Sequence, residues 1–350
     1  MTLPTGESQI SASQIRDEFG ATDGEGTEDG QVALGEYRVE KNFGELSEIP
    51  LDAGIPQGNN PISFDDFHGK KLNIIIDYYS ASYADNTRES EGETLNIRDR
   101  YTGGTGVHVV GGYKSKPSSS SETKVIVHVN RRLGGQKSTD ANNCALRTGT
   151  GWEGDTEMII DVGNEGAIYG AGGNGGRGGD TDAAGDAGQT GTSGLGISLS
   201  NVTVNVASGG IIRAGFGGGG GGGSGRQVDK GDDRRAGGGG GGGGQGFPAG
   251  SGGAGGSGNG GEGADSGTAG NLSEHGEGGE GGNNASQAYG ADGGEGGQFN
   301  NEADDGGSAQ YALGEGGGDG AAIRRASGLS GIEINNSGEI DGGQNGSGVS

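Results

Sequence analysis

Cysteine is almost missing from this chain: Cys144 is the only one in 350 residues. A single thiol excludes a disulfide framework and every zinc or iron–sulfur site built from several thiolates. Proline is scarce too, at six, far short of what a collagen triple helix needs beside strict Gly-X-Y. No run approaches the roughly 20 apolar residues of a membrane helix, so membrane insertion is not expected. Positive charge is in deficit, since 23 Lys and Arg against 48 Asp and Glu leave a formal net charge of −25. Nucleic acid requires the opposite balance, a basic footprint. The opening Met1-Thr2-Leu3-Pro4 has no basic stretch leading into an apolar core, so no secretory signal is expected.

Glycine is what the chain has instead, 91 of 350 residues, or 26%. Its distribution is uneven: residues 1–150 hold 19 glycines and residues 151–350 the other 72 (91 − 19). Low hydrophobicity with high net charge ordinarily signals disorder, and the order within the glycine pattern argues against it here. Three domains are expected: a small attachment segment at 1–70, a β-rich domain at 71–162 and a glycine-rich domain at 163–350.

The first segment holds two short helical phrases. In one, Ser11 or Ser13 caps a turn carrying Ile15 and Phe19 on one face, and Gly20 ends it. In the other, Phe64 and Phe67 stand three apart and Gly69 stops the turn. Helices this short need something to pack on, either a small core of their own or a neighbouring subunit. From residue 71 the period becomes two, over 72–79, 107–110, 124–129 and 158–162. Strands with Gly, Ser or Asn between them suggest a small antiparallel sandwich.

The glycine-rich half contains a repeat. The stretches 160–168, 204–212 and 332–340 each carry two branched residues two apart, a polar turn-former, a glycine and then isoleucine. The shared final pairs are Gly166 and Ile168, Gly210 and Ile212, Gly338 and Ile340. The pattern reads as strand, tight turn, strand, with positive φ expected at the glycine. Units with one apolar face must stack to bury it.

The tracts keep a register of their own. Glycine recurs every third residue at 185, 188, 191 and 194, and runs unbroken over 217–223 and 237–244. Three residues per turn is the period of a polyproline-II-type helix, which has no internal hydrogen bonds. One such helix of glycine loses too much backbone entropy to stand alone. In an array the main chains approach closely and pair with one another. Unbroken runs then suit central helices, and Gly-X-X runs suit outer ones. The fold class expected is mainly β with irregular structure: short N-terminal helices, a small antiparallel β domain and a C-terminal polyglycine-II helix array with β-turn repeats.

Charged and aromatic interruptions separate the tracts, and in such an array they become loops at its ends. They supply the candidate recognition contacts: Arg226, Lys230, Arg234, Arg235, Phe247, His275, Tyr289, Phe299 and Tyr311. The aromatics have a second reading, as cover for the array's apolar edges.

On these residues the sequence resembles a bacteriophage tail-fibre protein. The alternation of glycine runs and loops over 170–325 is similar to fibre-tip adhesins whose receptor-binding domain is a sandwich of polyglycine-II helices. The phrases at 8–20 and 61–70 resemble one found near the start of phage virion proteins, which makes Ile15, Phe19, Phe64 and Phe67 attachment candidates. The resemblance implies a non-enzymatic virion protein, located in the tail or fibre and assembled in the host cytoplasm. Its partners would be other virion proteins and a bacterial surface receptor, with a trimer as the common fibre state. A capsid decoration or head-fibre protein and an ice-binding glycine-rich protein are the alternatives. A tailspike enzyme is disfavoured by the single tryptophan, Trp152. No cofactor is expected. The partial calcium nonapeptide at 260–265 does not recur in tandem, which leaves calcium only for isolated acidic loops.

Overall fold

The computed structural model describes residues 9–19, 34, 41–43, 46–49, 56, 60–70, 74–78, 95–103, 107–109, 124–152, 156–229, 232–259, 263–284 and 288–349. Both helical phrases form. Helix α1 (Ala12–Phe19) is capped by Ser11, whose Oγ accepts from Gln14 N–H at 3.3 Å while Gln14 Oε1 accepts from Ser11 N–H at 2.8 Å. Phe64–Phe67 forms a 3-10 turn preceded by Ser63, and Gly69 follows at φ 66°. Ile15 and Phe67 are fully buried and Phe64 is 40% exposed. The Phe19 side chain lies outside the described residues.

Strands β1 (Lys41–Phe43) and β2 (Leu46–Ile49) pair antiparallel. Thereafter the antiparallel sandwich expected over 71–162 gives way to a parallel, three-sided solenoid. A partial turn comes first, β3 (Ile74–Asp77) and β4 (Leu95–Asn96), then α2 (Ile97–Gly103) and β5 (Val107–Val109), which runs antiparallel to β3. Rung one is β6 (Lys124–Val129), β7 (Arg132–Gly134) and β8 (Cys144–Arg147); rung two is β9 (Glu157–Val162), β10 (Ala167–Tyr169) and β11 (Ser193–Ile197). Rung three begins with β12 (Val202–Val206) and β13 (Ile211–Arg213). It closes only after an excursion carrying β14 (Gly225–Asp229), β15 (Asp232–Ala236), β16 (Asn283–Asn284) and β17 (Ala288–Tyr289), with β18 (Ile323–Arg325). Rung four is β19 (Ile332–Asn336), β20 (Glu339–Asp341) and β21 (Gly346–Ser347).

The sheet orders β19-β12-β9-β6-β3-β5, β20-β13-β10-β7 and β21-β18-β11-β8-β4 are the three faces. Alternate residues point inward, as the period of two requires: Val125, Val127 and Val129, then Met158, Ile160 and Val162, then Val202, Val204 and Val206 are all at most 2% exposed. The repeat is this stack itself. Ile160 pairs with Val204 and Val204 with Ile334 on one face, and Ile168 with Ile212 and Ile212 with Ile340 on the next. Each expected tight turn is therefore a corner between two faces, not a hairpin. Gly166, Gly210 and Gly338 do not have the positive φ expected of them. What they lack is room, because a Cβ there would press on backbone carbonyls, those of Val129, Val162 and Ala207 respectively.

The sheets run across the expected boundary between 162 and 163. The glycine tracts leave the solenoid after β10 and β13 and return to it before β11 and β18, so they are two excursions, 170–192 and 214–322. Within them ten tracts alternate in direction: 170–180, 183–192, 214–224, 237–246, 249–258, 264–271, 274–283, 289–298, 302–307 and 311–321. The third and fourth, which contain the unbroken glycine runs, occupy the centre. Gly218, Gly219 and Gly220 donate in rotation to Gln189, Gly242 and Asp304, on the second, fourth and ninth tracts, and Gly221, Gly222 and Gly223 repeat the cycle. Gly238, Gly239 and Gly240 do the same toward Gly179, Ala291 and Asp265.

The other eight tracts close a ring around this pair. Its links, all near 2.8–2.9 Å, are Gly175 N–H to Ser251 O, Gly267 to Gly253, Thr268 to Glu277, Gly293 to Gly279, Asp304 to Glu295, Gly306 to Gly314, Gly188 to Glu315 and Gln189 to Asn174. In the second tract only every third residue must be glycine: Gly185, Gly188 and Gly191 face the carbonyls of Gly221, Gly218 and Gly215 on the third. On the rim, outward side chains accept N–H groups of the next tract. Asp180 Oδ1 takes Ser257 N–H at 2.9 Å, and Asp292 and Asp305 take Gly281 and Gly316 N–H, each at 2.8 Å. Part of the chain's acidity thus satisfies backbone donors that have run out of carbonyls.

Candidate functional site

Because the tracts alternate, the turns between them fall at two opposite ends. The chain enters the array from the solenoid at 170 and 214, so the described residues at the outer tract ends, 181–182, 225–229, 232–236, 259, 263, 284, 288 and 308–310, lie at the far end. Those at 245–248, 271–274 and 298–301 lie at the base, toward the solenoid. The nine candidate contacts divide accordingly. Arg226, Arg234, Arg235, Tyr289 and Tyr311 belong to the far end, Phe247, His275 and Phe299 to the base, and Lys230 lies outside the described residues.

The far end is organised by the hairpin of β14 and β15, whose register sets Arg226 opposite Arg235 and Val228 opposite Asp233. Paired residues of an antiparallel ladder share a face, so both guanidiniums and the Asp233 carboxylate stand together. Asp233 accepts from Arg226 Nε at 2.8 Å and Nη2 at 3.1 Å, and from Arg235 Nη2 at 2.7 Å. Hydrogen bonds from Arg235 and then Arg226 hold its pKa down at about 2. Asp182, in the first turn at φ 62°, ties the hairpin to its neighbours. Its carboxylate lies 2.5 Å from Arg235 Nη1 and accepts from Tyr311 Oη at 2.8 Å. Beside them Asn259 Oδ1 accepts Arg235 N–H at 2.7 Å, Asn259 Nδ2 donates to Asp233 O at 2.9 Å, and Asn284 Nδ2 donates to Arg235 O at 3.1 Å.

Arg226, Arg235 and Tyr311 therefore brace the tip internally. Presented outward are Val228, 62% exposed, and Tyr289, 56% exposed, with Gln227 also exposed and Arg234 3.7 Å from Asp232. The bracing residues Asp182, Asp233, Asn259 and Asn284 are absent from the sequence-derived set. The pair Lys230-Gly231 between two five-residue stretches was the hairpin signal available for one of them, Asp233.

At the base, Phe247 is buried at 6% exposure and meets Tyr169 edge-on with ring centroids 6.3 Å apart. It packs against the solenoid and is closed to a surface receptor. His275 is half-buried, with Nε2 3.4 Å from a Glu295 oxygen, and Phe299 is 45% exposed on the side away from the tip. Among the described residues no group of His, Cys, Asp or Glu is placed to hold a metal ion. No described helix is long and apolar enough to cross a membrane.

No protein-family model matches the sequence, and neither does any curated protein. Among solved structures the chain is similar to the gp37–gp38 adhesin tip complex of the bacteriophage S16 long tail fibre, at 18% identity and a TM-score of 0.37. The match covers 83% of this chain and 89% of that one. A score that low does not establish a common fold.

Proposed function

We propose that this chain is a tail-fibre adhesin of a bacteriophage, a non-enzymatic virion protein that binds a bacterial surface receptor through the far end of its glycine array. The observation that carries the reading is the gathering of the β14–β15 hairpin with Asp182, Asn259, Asn284, Tyr289 and Tyr311 at one end of a hydrogen-bonded ring of tracts, opposite the solenoid. A stiff scaffold that displays turns of mixed chemistry is the geometry of a recognition surface. The three-residue rhythm of the interior supports assigning the tracts to the polyglycine-II conformation. Among the described residues Val228, Tyr289 and Gln227 are exposed side chains placed to meet a receptor, while the Asp182–Arg226–Arg235–Asp233 network braces the hairpin. Other fibre proteins are the natural partners of the solenoid and N-terminal segment, and the virion tail is the place.

The test is adsorption to intact bacteria of a host strain carrying the receptor. Val228→Asp with Tyr289→Ala should reduce adsorption at least about tenfold, the order expected when an interface anchor is lost, and Phe299→Ala at the base should leave it unchanged. Equal adsorption by the tip variant and the parent would refute the assignment of the tip.

A further inference from the structure

The base of the array rests on the solenoid through a cluster that receptor binding does not use. Phe247 and Leu272, from the turns at 245–248 and 271–274, pack with Tyr169 and Ile211 of the face formed by β20, β13, β10 and β7. Beside them Arg213, the last residue of β13, reaches both bodies. Its Nη1 donates to Leu272 O at 2.9 Å, and its Nε donates to Asp341 Oδ2 at 2.6 Å on β20. Its Nη2 meets Glu339, also on β20, and its guanidinium lies over the Tyr169 ring, 5.6 Å from the centroid.

The two carboxyls stand two residues apart on β20 and both engage the one Arg213 guanidinium. Asp341 is 4% exposed, so it shares one guanidinium with Glu339 in a site where two negative charges are poorly solvated. Among the described residues Tyr169 also feels both carboxyls, and Arg132, stacked over Phe247 at 5.9 Å, acts on Tyr169.

We infer that Arg213, Asp341 and Glu339 form a proton-dependent brace between the solenoid and the 271–274 turn, closed while one proton is held on Asp341 and weakened when it leaves. Burial, then the neighbouring Glu339 carboxyl, raises the Asp341 pKa to about 6, while Glu339 itself is held below its ordinary value. The proton therefore resides on Asp341, and the change near pH 6 is that of Asp341. A carboxyl with a raised folded-state pKa binds its proton more tightly in the folded than in the unfolded chain. Its contribution to stability is therefore fully present below the unfolded value and is lost as pH rises through about 6. Once both carboxylates are charged they repel, and Arg213 is drawn between them at the expense of the Leu272 carbonyl.

Amide exchange of the full-length protein at pH 5.5 and pH 8.0 tests this. Rates are divided by the intrinsic rate at each pH, and residues 218–222 in the array's centre serve as reference. Protection across 271–276 should fall about three- to tenfold relative to that reference on going to pH 8.0, a local opening well below global unfolding. Asp341→Asn should abolish the fall; if that variant does not fold, Glu339→Gln should do so. An unchanged ratio in the parent protein would overturn the inference, as would the same fall in a folded variant.

Discussion

The solenoid and the glycine array are both stacks of extended chain, yet they are held together by opposite parts of the polypeptide. In the solenoid every second side chain points inward, and Val, Ile, Leu and Met fill the space between three sheets. In the array the unbroken glycine runs at the centre hold no side chains, only main chains whose N–H groups turn through three neighbours in succession. Side-chain burial needs a period of two and tolerates any apolar residue of suitable volume. Main-chain burial needs a period of three and tolerates only glycine, wherever a neighbouring carbonyl occupies the place of a Cβ. Glycine's entropy cost is met in the array by pairing backbone groups that water would otherwise satisfy.

The comparison breaks first at the centre of the array. A Cβ on Gly241 would collide with the Gly219 carbonyl, backbone against backbone, with no flexible side chain to yield. Gly241→Ala should cost about 3 kcal/mol or more, at or above the upper range for overpacking. Calorimetry should show the array melting earlier while the solenoid transition stays in place; a single unshifted transition would mean that the centre can give way.

Ile160→Ala offers the matched test in the solenoid. Ile160 is fully buried between Val127 and Val204 of adjacent rungs. Its truncation should cost about 2–5 kcal/mol through lost burial and a cavity, read by denaturant unfolding followed at the solenoid's far-ultraviolet β signal. The smallest effect belongs to an outward position of an outer tract. Ala187 is exposed between Gly185 and Gly188, and Ala187→Gln should change stability by no more than about 0.5 kcal/mol. A larger loss there would show that the Gly-X-X rule does not separate inside from outside.

Much of the array was legible because its constraint is local. The three-residue spacing at Gly185, Gly188 and Gly191 marks an outer tract, and the unbroken run 237–244 marks a central one. The aligned Gly-to-Ile corners were legible as a repeat, but not as a solenoid. A period of two says nothing about strand direction, and the units that stack are unevenly spaced. Asp161 and Asn205, hydrogen-bonded across adjacent rungs, are 44 residues apart, whereas Asn205 and Asn335 are 130 apart because the larger excursion intervenes. Unequal spacing hides a repeat from any search for a fixed period.

The candidate contacts were mixed for a different reason. Phe247 and Tyr289 both interrupt glycine runs, and composition alone treats them alike. What separates them is the parity of the turns between tracts, which sends one to the base and the other to the tip. Arg226 and Arg235 look like contact residues in the sequence, but Asp182 and Asp233 engage both, and the first of these arrives from a turn more than 40 residues earlier.

Hydrogen exchange at the unbroken glycine runs bears most directly on the claim that bare main chains form the array's core. Residues 218–223 and 238–243 should exchange as slowly as β9 and β12 of the solenoid, although they belong to neither helix nor sheet. Exchange near the intrinsic rate throughout both runs would contradict the account, since it would leave those N–H groups bonded to water and not to one another.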